Sequence, residues 1–445
     1  MKVPFDITDI DFEDLSPREL MRITGQITDP DYVLDSKRVD LFLCSDHTGV
    51  ENLVEELVKS FLTSGIRTGH ISKLKPTLNM IISNFLEIER MVPERYLAYS
   101  RTSNEYTSRY NPSGIGYHPM MNAVDGLIKL ELVENIPGTN RGDTGGGYVS
   151  RMKPSSILGE KLASIDGFSF SDLHQITSER ETIKLKDENG YLINYTDTCQ
   201  TNDMRSLLSR YNEGLRDTEI SLSDDCSEEA DLSRNQCHRT FNDGSFELGG
   251  RFYGPWWQYI KKEARPHILI NGNVTSEYDY SSLIVHQIYS MEGIKYCDVH
   301  GAGDDPYSLP GYDWPRGYLK KVFFLMLNTP SMKRAKVAID RISMSRSDID
   351  TIGNPDVQKL MDDVLTKHEA IKDKFFIEPA TRLQFQDSQI CESVIKFCMD
   401  EGITVLTIHD SFIVENQHEE TIRRIMEDAC VEHGMISIPT ITKTP

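Results

Sequence analysis

The 445-residue chain has no run of 18 apolar residues, so no membrane-crossing helix is expected. Residues Met1 to Asp9 lack the apolar core of a secretory leader, and a cytoplasmic location is expected. The eight cysteines are scattered singly, which excludes a disulfide scaffold and fits a reducing compartment. Cys226 with Cys237 and His238 comes nearest to a metal pattern, but the second half of a zinc site is missing. No phosphate loop of the GxxxxGK[ST] type occurs around the glycine-rich stretch Gly142 to Gly147, and no internal repeat is present. Positive charge is also short. Lysine and arginine number 48 against 69 aspartates and glutamates, a net charge of -21. That balance excludes a protein that coats nucleic acid indiscriminately, but not an enzyme with a locally basic channel. Part of the acidic excess lies between Asp217 and Asp231, which reads as a solvated loop.

What is present describes an ordinary globular chain, 38% hydrophobic and 26% charged, long enough for two or three cores. The expected division is 1–165, a mainly helical N-terminal region; 166–238, a linker or helical subdomain; and 239–445, a catalytic region. Thr48 is placed to cap a helix whose stripe is Val50, Leu53, Val54, Leu57, Val58 and Phe61. A second helical pattern runs from Leu78 to Ile88, and residues 101–116 read as a loop. A helix over His118 to Leu132, then a glycine-turned hairpin carrying Arg151 and Lys153, predicts a winged helix-turn-helix or a small structural hairpin. Glu419 to Val431 reads as a closing helix, and Cys391 with Cys398 as one core stripe of another.

Four motifs follow one another in the C-terminal half: Glu247 to Tyr253 (Glu-Leu-Gly-Gly-Arg-Phe-Tyr), Asp279-Tyr280-Ser281, Arg316-x3-Lys320-x3-Phe324-x3-Asn328, and His409-Asp410-Ser411-Phe412. Nucleotidyl transfer needs two divalent ions about 4 Å apart, and two carboxylates on adjacent strands can hold both. Asp279 follows the strand-like Asn273 to Tyr278. Asp410 follows the apolar run Ile403 to Ile408 at what reads as a hairpin turn. Between them, residues four apart line one side of a helix about 18 Å long at 1.5 Å rise per residue. A stripe of Arg316, Lys320 and Phe324 suits a nucleoside triphosphate, with cations to the phosphates and a ring to the base. Lys320 can also protonate the leaving pyrophosphate. Around the first motif, Arg251, Lys261, Lys262, Arg265 and His267 alternate with Phe252, Tyr253, Trp256 and Trp257, a pattern expected to hold and stack a strand.

These motifs resemble those of the single-subunit, phage-type RNA polymerases and of the family A DNA polymerases, over roughly residues 239–415. The resemblance implies an α+β right-hand fold, with an antiparallel palm sheet and helical fingers behind the mainly helical N-terminal region. It implies two magnesium ions on Asp279 and Asp410. It implies nucleotide contacts from Arg316, Phe324, Asn328, Tyr280, Asp305 and Tyr307, and template or duplex contacts from Gly250, Arg251, Tyr253, Gln384 and His409. The implied partners are a DNA template, nucleoside triphosphates, a nascent RNA or DNA strand and an accessory subunit. The implied setting is a phage or mobile element in a bacterial cytoplasm. Two departures bear on the sugar. Asn328 stands where the family commonly has a tyrosine, and Ile284 stands where its DNA polymerases carry a glutamate that excludes the 2'-hydroxyl. With His-Asp-Ser-Phe in the last motif, the expectation is a small DNA-directed RNA polymerase active in transcription. A DNA polymerase without proofreading is the alternative, and a non-catalytic DNA-binding regulator on a degenerate palm is the further one.

Overall fold

The computed structural model describes residues 36–444 except 92–94, 108, 112–113, 140–148, 177–179, 189, 191, 229, 345–355 and 377–380. It is a mixed α/β chain whose apolar side chains gather into three clusters, over 43–173, 183–441 and 284–375.

The first cluster is built from β1 (Ser36–Arg38), β2 (Leu43–Ser45), α1 (Thr48–Thr63), α2 (Ile71–Met91), β3 (Tyr96–Tyr99), α3 (Asn104–Thr107), α4 (Tyr117–Lys129), β4 (Val133–Ile136), β5 (Ser150–Pro154), α5 (Ser156–Ala163) and β6 (Leu173–Gln175). α1 begins one residue earlier than the sequence suggests. His47, not Thr48, is the N-cap, and its Nδ1 accepts from the Gly49 N–H at 3.1 Å. The predicted stripe from Val50 to Phe61 is buried. Gly126 of α4 lies under the Phe61 ring of α1: a β-carbon there would stand 2.2 Å from that ring, so a larger residue would have to displace it. β3, β5 and β4 form an antiparallel sheet in that order, with β1 parallel to β3 at its edge. The glycine-rich segment between β4 and β5 lies outside the described residues.

The second cluster surrounds the central sheet. It comprises β7 (Ile183–Leu185), α6 (Cys199–Asp217), β8 (Ile220–Leu222), β9 (His238–Phe241), β10 (Gly249–Tyr253), β11 (Ile268–Ile270) and β12 (Asn273–Tyr280). The third cluster then intervenes as a helical layer: α7 (Leu283–Met291), α8 (Tyr296–His300), α9 (Arg316–Asn328), α10 (Met332–Met344) and α11 (Val357–Lys367). The chain returns through α12 (Thr381–Asp400), β13 (Leu406–Ile408), β14 (Ser411–Glu415), α13 (Glu419–Glu432) and β15 (Ile441–Thr444). The main sheet runs β13-β14-β12-β11-β8, antiparallel throughout, with β15 continuing along the β11 side of β12.

Residues 166–238 contribute to the central core. Met204, Leu208, Tyr211 and Leu215 of α6 are buried in the central cluster, and the Tyr211 hydroxyl donates to the Val405 carbonyl. The β9–β10 hairpin is pinned to α12 by two buried arginines. Arg239 donates to the Gly250 carbonyl, Ser388 and Glu392. Arg251 donates to Asp387. Gly250 sits at φ 80°, and a β-carbon there would stand 2.7 Å from Phe241 and 2.9 Å from Ser388.

Candidate functional site

The centre of the site is set by strand register. Asp279, near the C-terminal end of β12, pairs directly with Ser411, the first residue of β14. Asp410 immediately precedes Ser411 in the two-residue turn that joins β13 to β14. Folding therefore brings the two aspartates to the same end of neighbouring strands, and both side chains are half-buried. The turn requires a positive φ at its first residue, which His409 supplies at 56°. Histidine visits that region more readily than branched residues do. The strand before the turn is tied down by Trp257 Nε1 and Gln258 Nε2, which both donate to the Thr407 carbonyl, at 3.2 and 2.9 Å.

Sequence reading missed Glu277. It lies two residues before Asp279, hence on the same face of β12. It is buried, and its Oε1 accepts from Ser411 Oγ at 2.6 Å and from Arg265 at 3.2 Å. The signal was the period-two spacing of two acids in one strand, visible only once that face was known to point at the turn. Among the described residues no group of three or more histidine, cysteine or acidic side chains is arranged to hold a metal. Two half-exposed carboxylates are nonetheless a fitting donor set for magnesium, which prefers oxygen and keeps several waters.

The helical layer reaches the same end of the sheet. Arg316, at the start of α9, donates to Ser282 at 3.1 Å, three residues beyond Asp279, and to Asp305 at 2.7 Å. Its guanidinium lies 5.0 Å from the Tyr307 ring centre. The 304–308 loop is held by Lys367, which bonds Asp304 at 2.8 Å and the carbonyls of Asp305 and Ser308 at 2.7 Å. Arg316, Asp305 and Tyr307 are thus brought together at Ser282, just beyond the C-terminal end of β12.

Further along α9 the arrangement differs from the predicted open stripe. Lys320 is half-buried, with its ammonium 5.9 Å from the Phe324 ring centre. Phe324 is only 1% exposed and packs on Phe323 and Tyr307. Asn328 is half-buried, and its Oδ1 has no hydrogen-bond partner. The Tyr280 ring points away from Asp279, and its hydroxyl donates to the Met426 carbonyl in α13.

Of the residues expected at template or duplex, Tyr253 stacks edge-on to His409 at 5.5 Å, so both lie at the turn. Gly250, Arg251 and Gln384 are buried behind it, with Arg251 facing Asp387 in α12. Trp256 and Trp257 are core residues, contrary to the expectation of a stacking surface. Their apolar area is worth more inside the sheet than at a wet groove. Ile284 is likewise buried, in the helical layer.

No family model matches the chain, and no curated protein does. Among solved structures it is similar to the POL domain of Pol1 from M. smegmatis in complex with DNA primer-template and dNTP. The identity is 14%, over 96% of this chain and 68% of that one, with a TM-score of 0.28.

Proposed function

We propose that the protein is a template-directed nucleotidyltransferase of right-hand architecture, with the central sheet as palm and the α7–α11 layer as fingers. The observation that carries this reading is the β12–β14 register. It sets Asp279 beside Ser411 and so beside Asp410, at the sheet end that Arg316 also reaches. A metal pair held by Asp279 and Asp410 would activate the attacking hydroxyl and offset charge on the leaving pyrophosphate.

The chain's own residues do the rest. Arg316 supplies a planar cation to the triphosphate, and its bond to Asp305 holds the fork ready. Lys320, one turn further along α9, donates the proton to the departing pyrophosphate oxygen. His409 and Tyr253 form the wall against which the growing strand's end rests. Glu277 orients Ser411, and with it the hairpin that presents Asp410. Ribonucleotides are the proposed substrates and a small DNA-directed RNA polymerase the proposed enzyme, because Ile284 and Asn328 replace the polar sugar gate of the DNA polymerases that the motifs resemble, and His409-Asp410-Ser411-Phe412 resembles the RNA polymerase motif.

Incubation of primed and unprimed DNA with magnesium and either nucleotide set tests activity, sugar choice and initiation together. Ribonucleotide incorporation that disappears in Asp279→Asn supports the proposal. Incorporation of deoxyribonucleotides alone would make it a DNA polymerase. DNA binding with no metal-dependent extension on any template would leave a non-catalytic regulator.

A further inference from the structure

Between the N-terminal cluster and the small β10-β9-β7 sheet lies a cavity of about 690 Å³ that the reaction above does not use. Its volume falls within the range that holds nucleotide-sized ligands. Its wall includes Arg180, Lys184, Arg234, Thr182, Gln175 and Tyr259. The acids of the same wall are already engaged. Asp40 takes the Phe42 N–H and faces Arg180 at 3.4 Å. Glu105 pairs with Arg38, and Glu181 is held by Arg109 and Arg205 from outside the cavity. Lys184 differs from these cations. Among the described residues no carboxylate stands within ion-pair distance of its amine.

Two further polar groups of the wall are left without partners. Thr182 Oγ1 and Gln175 Nε2 are both buried and make no hydrogen bond. Buried polar groups without partners are costly, and a cavity that keeps a hydroxyl and an amide in that state, beside a half-buried lysine, is built to receive an acceptor. Burial first, then the nearby Arg180, lowers the Lys184 amine to about 7, so a bound anion would restore its full charge. The cavity also adjoins the proposed centre. His238 on its wall lies 6.3 Å, ring to ring, from Tyr253, which in turn touches His409.

We infer that this cavity binds phosphate groups through Lys184, Thr182 and Gln175, with Arg180 and Arg234 supplying the surrounding positive field. Two sources share that chemistry. One is the backbone of a nucleic-acid single strand running past the turn at His409, and the other is a free nucleoside triphosphate. The inference stands on the cavity alone and does not require the protein to polymerise anything.

Binding is therefore measured without magnesium, in the presence of a chelator. Fluorescence anisotropy of a labelled 16-nucleotide single strand forms one arm, and displacement of a labelled triphosphate forms the other. Lys184→Met keeps the side-chain volume and removes the charge; it should weaken binding roughly tenfold or more, the scale of one charge-assisted hydrogen bond. Thr182→Val, nearly isosteric, should weaken it about threefold to tenfold and covers the case in which the lysine variant fails to fold. Loss in the strand arm alone assigns the site to a nucleic-acid backbone, and loss in the triphosphate arm assigns it to free nucleotide. Folded variants that bind both ligands as the wild type does would overturn the inference, whatever the extension assay shows.

Discussion

Replacing Arg251 by methionine should destabilise the protein more than most single substitutions. The guanidinium donates from Nε and Nη2 to one oxygen of Asp387, at 2.8 and 2.7 Å, and both side chains are 3% exposed. Removing one member of such a pair leaves a buried charge without its partner, which costs about 3–5 kcal/mol. That is more than about 100-fold in the folding equilibrium. Trp256 and Trp257 lie in the same cluster, so urea unfolding can be followed by tryptophan fluorescence. With a slope near 3 kcal/mol/M, the midpoint should fall by about 1 M or more. Asp387→Leu alone should cost about as much. The double variant, Arg251→Met with Asp387→Leu, should lie within about 1 kcal/mol of the wild type or above it, because the ion pair is then replaced by apolar contact. An Arg251→Met variant within about 0.5 kcal/mol of the wild type, or two single effects that simply add, would contradict a coupled buried pair. A stable double variant also separates two roles. If extension returns with stability, Arg251 acts only as a rivet between β10 and α12; if it does not, the arginine meets the strand as well.

Asp279→Asn and Asp410→Asn should each lower nucleotide incorporation by about 10²–10³-fold or more while leaving the urea midpoint close to wild type, as single-turnover extension would show. Gly250→Ala should destabilise by about 1–3 kcal/mol, because φ is 80° and the new methyl meets Phe241 and Ser388; a change in midpoint too small to resolve would contradict this. His286 and His368 are both lowered from 6.5 to about 4, each chiefly by burial. Below pH 6.5 the unfolded chain takes up these protons and the folded chain does not, so stability is complete above that pH and is lost as pH falls toward 4. Each residue contributes up to about 1.4 kcal/mol per pH unit in that window. Urea midpoints measured from pH 7 to 4.5 should therefore fall less steeply in His286→Gln than in the wild type.

Parts of the fold are legible in the sequence because local chemistry fixes them. The stripe from Val50 to Phe61 can bury one face only as a helix, and it does so in α1. The apolar run Ile403 to Ile408 before Asp410 and the apolar Phe412, Ile413 and Val414 after it read as a hairpin, and β13 pairs β14 around that turn. Other parts were hidden. α6 is polar on average, so the sequence leaves 166–238 open between a linker and a helical subdomain, and the buried stripe through Met204, Leu208, Tyr211 and Leu215 shows only in the packing. Trp256 and Trp257 sit among basic residues in sequence but inside the sheet in space. Phe324 follows the four-residue rhythm of Arg316 and Lys320, yet its ring is taken up by Tyr307 and Phe323, which no spacing could foretell.

The sequence by itself determined the ingredients: two aspartates in strand-like settings, a helix starting at Arg316, and a turn able to accept positive φ. These follow from propensity and periodicity, which act over a few residues. Only tertiary structure decided which ingredients meet. The pairing of β12 with β14 joins Asp279 to Ser411, Glu277 closes on the same serine, and Arg316 lands on Ser282. The cavity at Lys184 likewise exists only where the N-terminal cluster packs against the β7–β9 strands. Such contacts join residues far apart along the chain, so they depend on one register and one packing among many that the same local pattern allows.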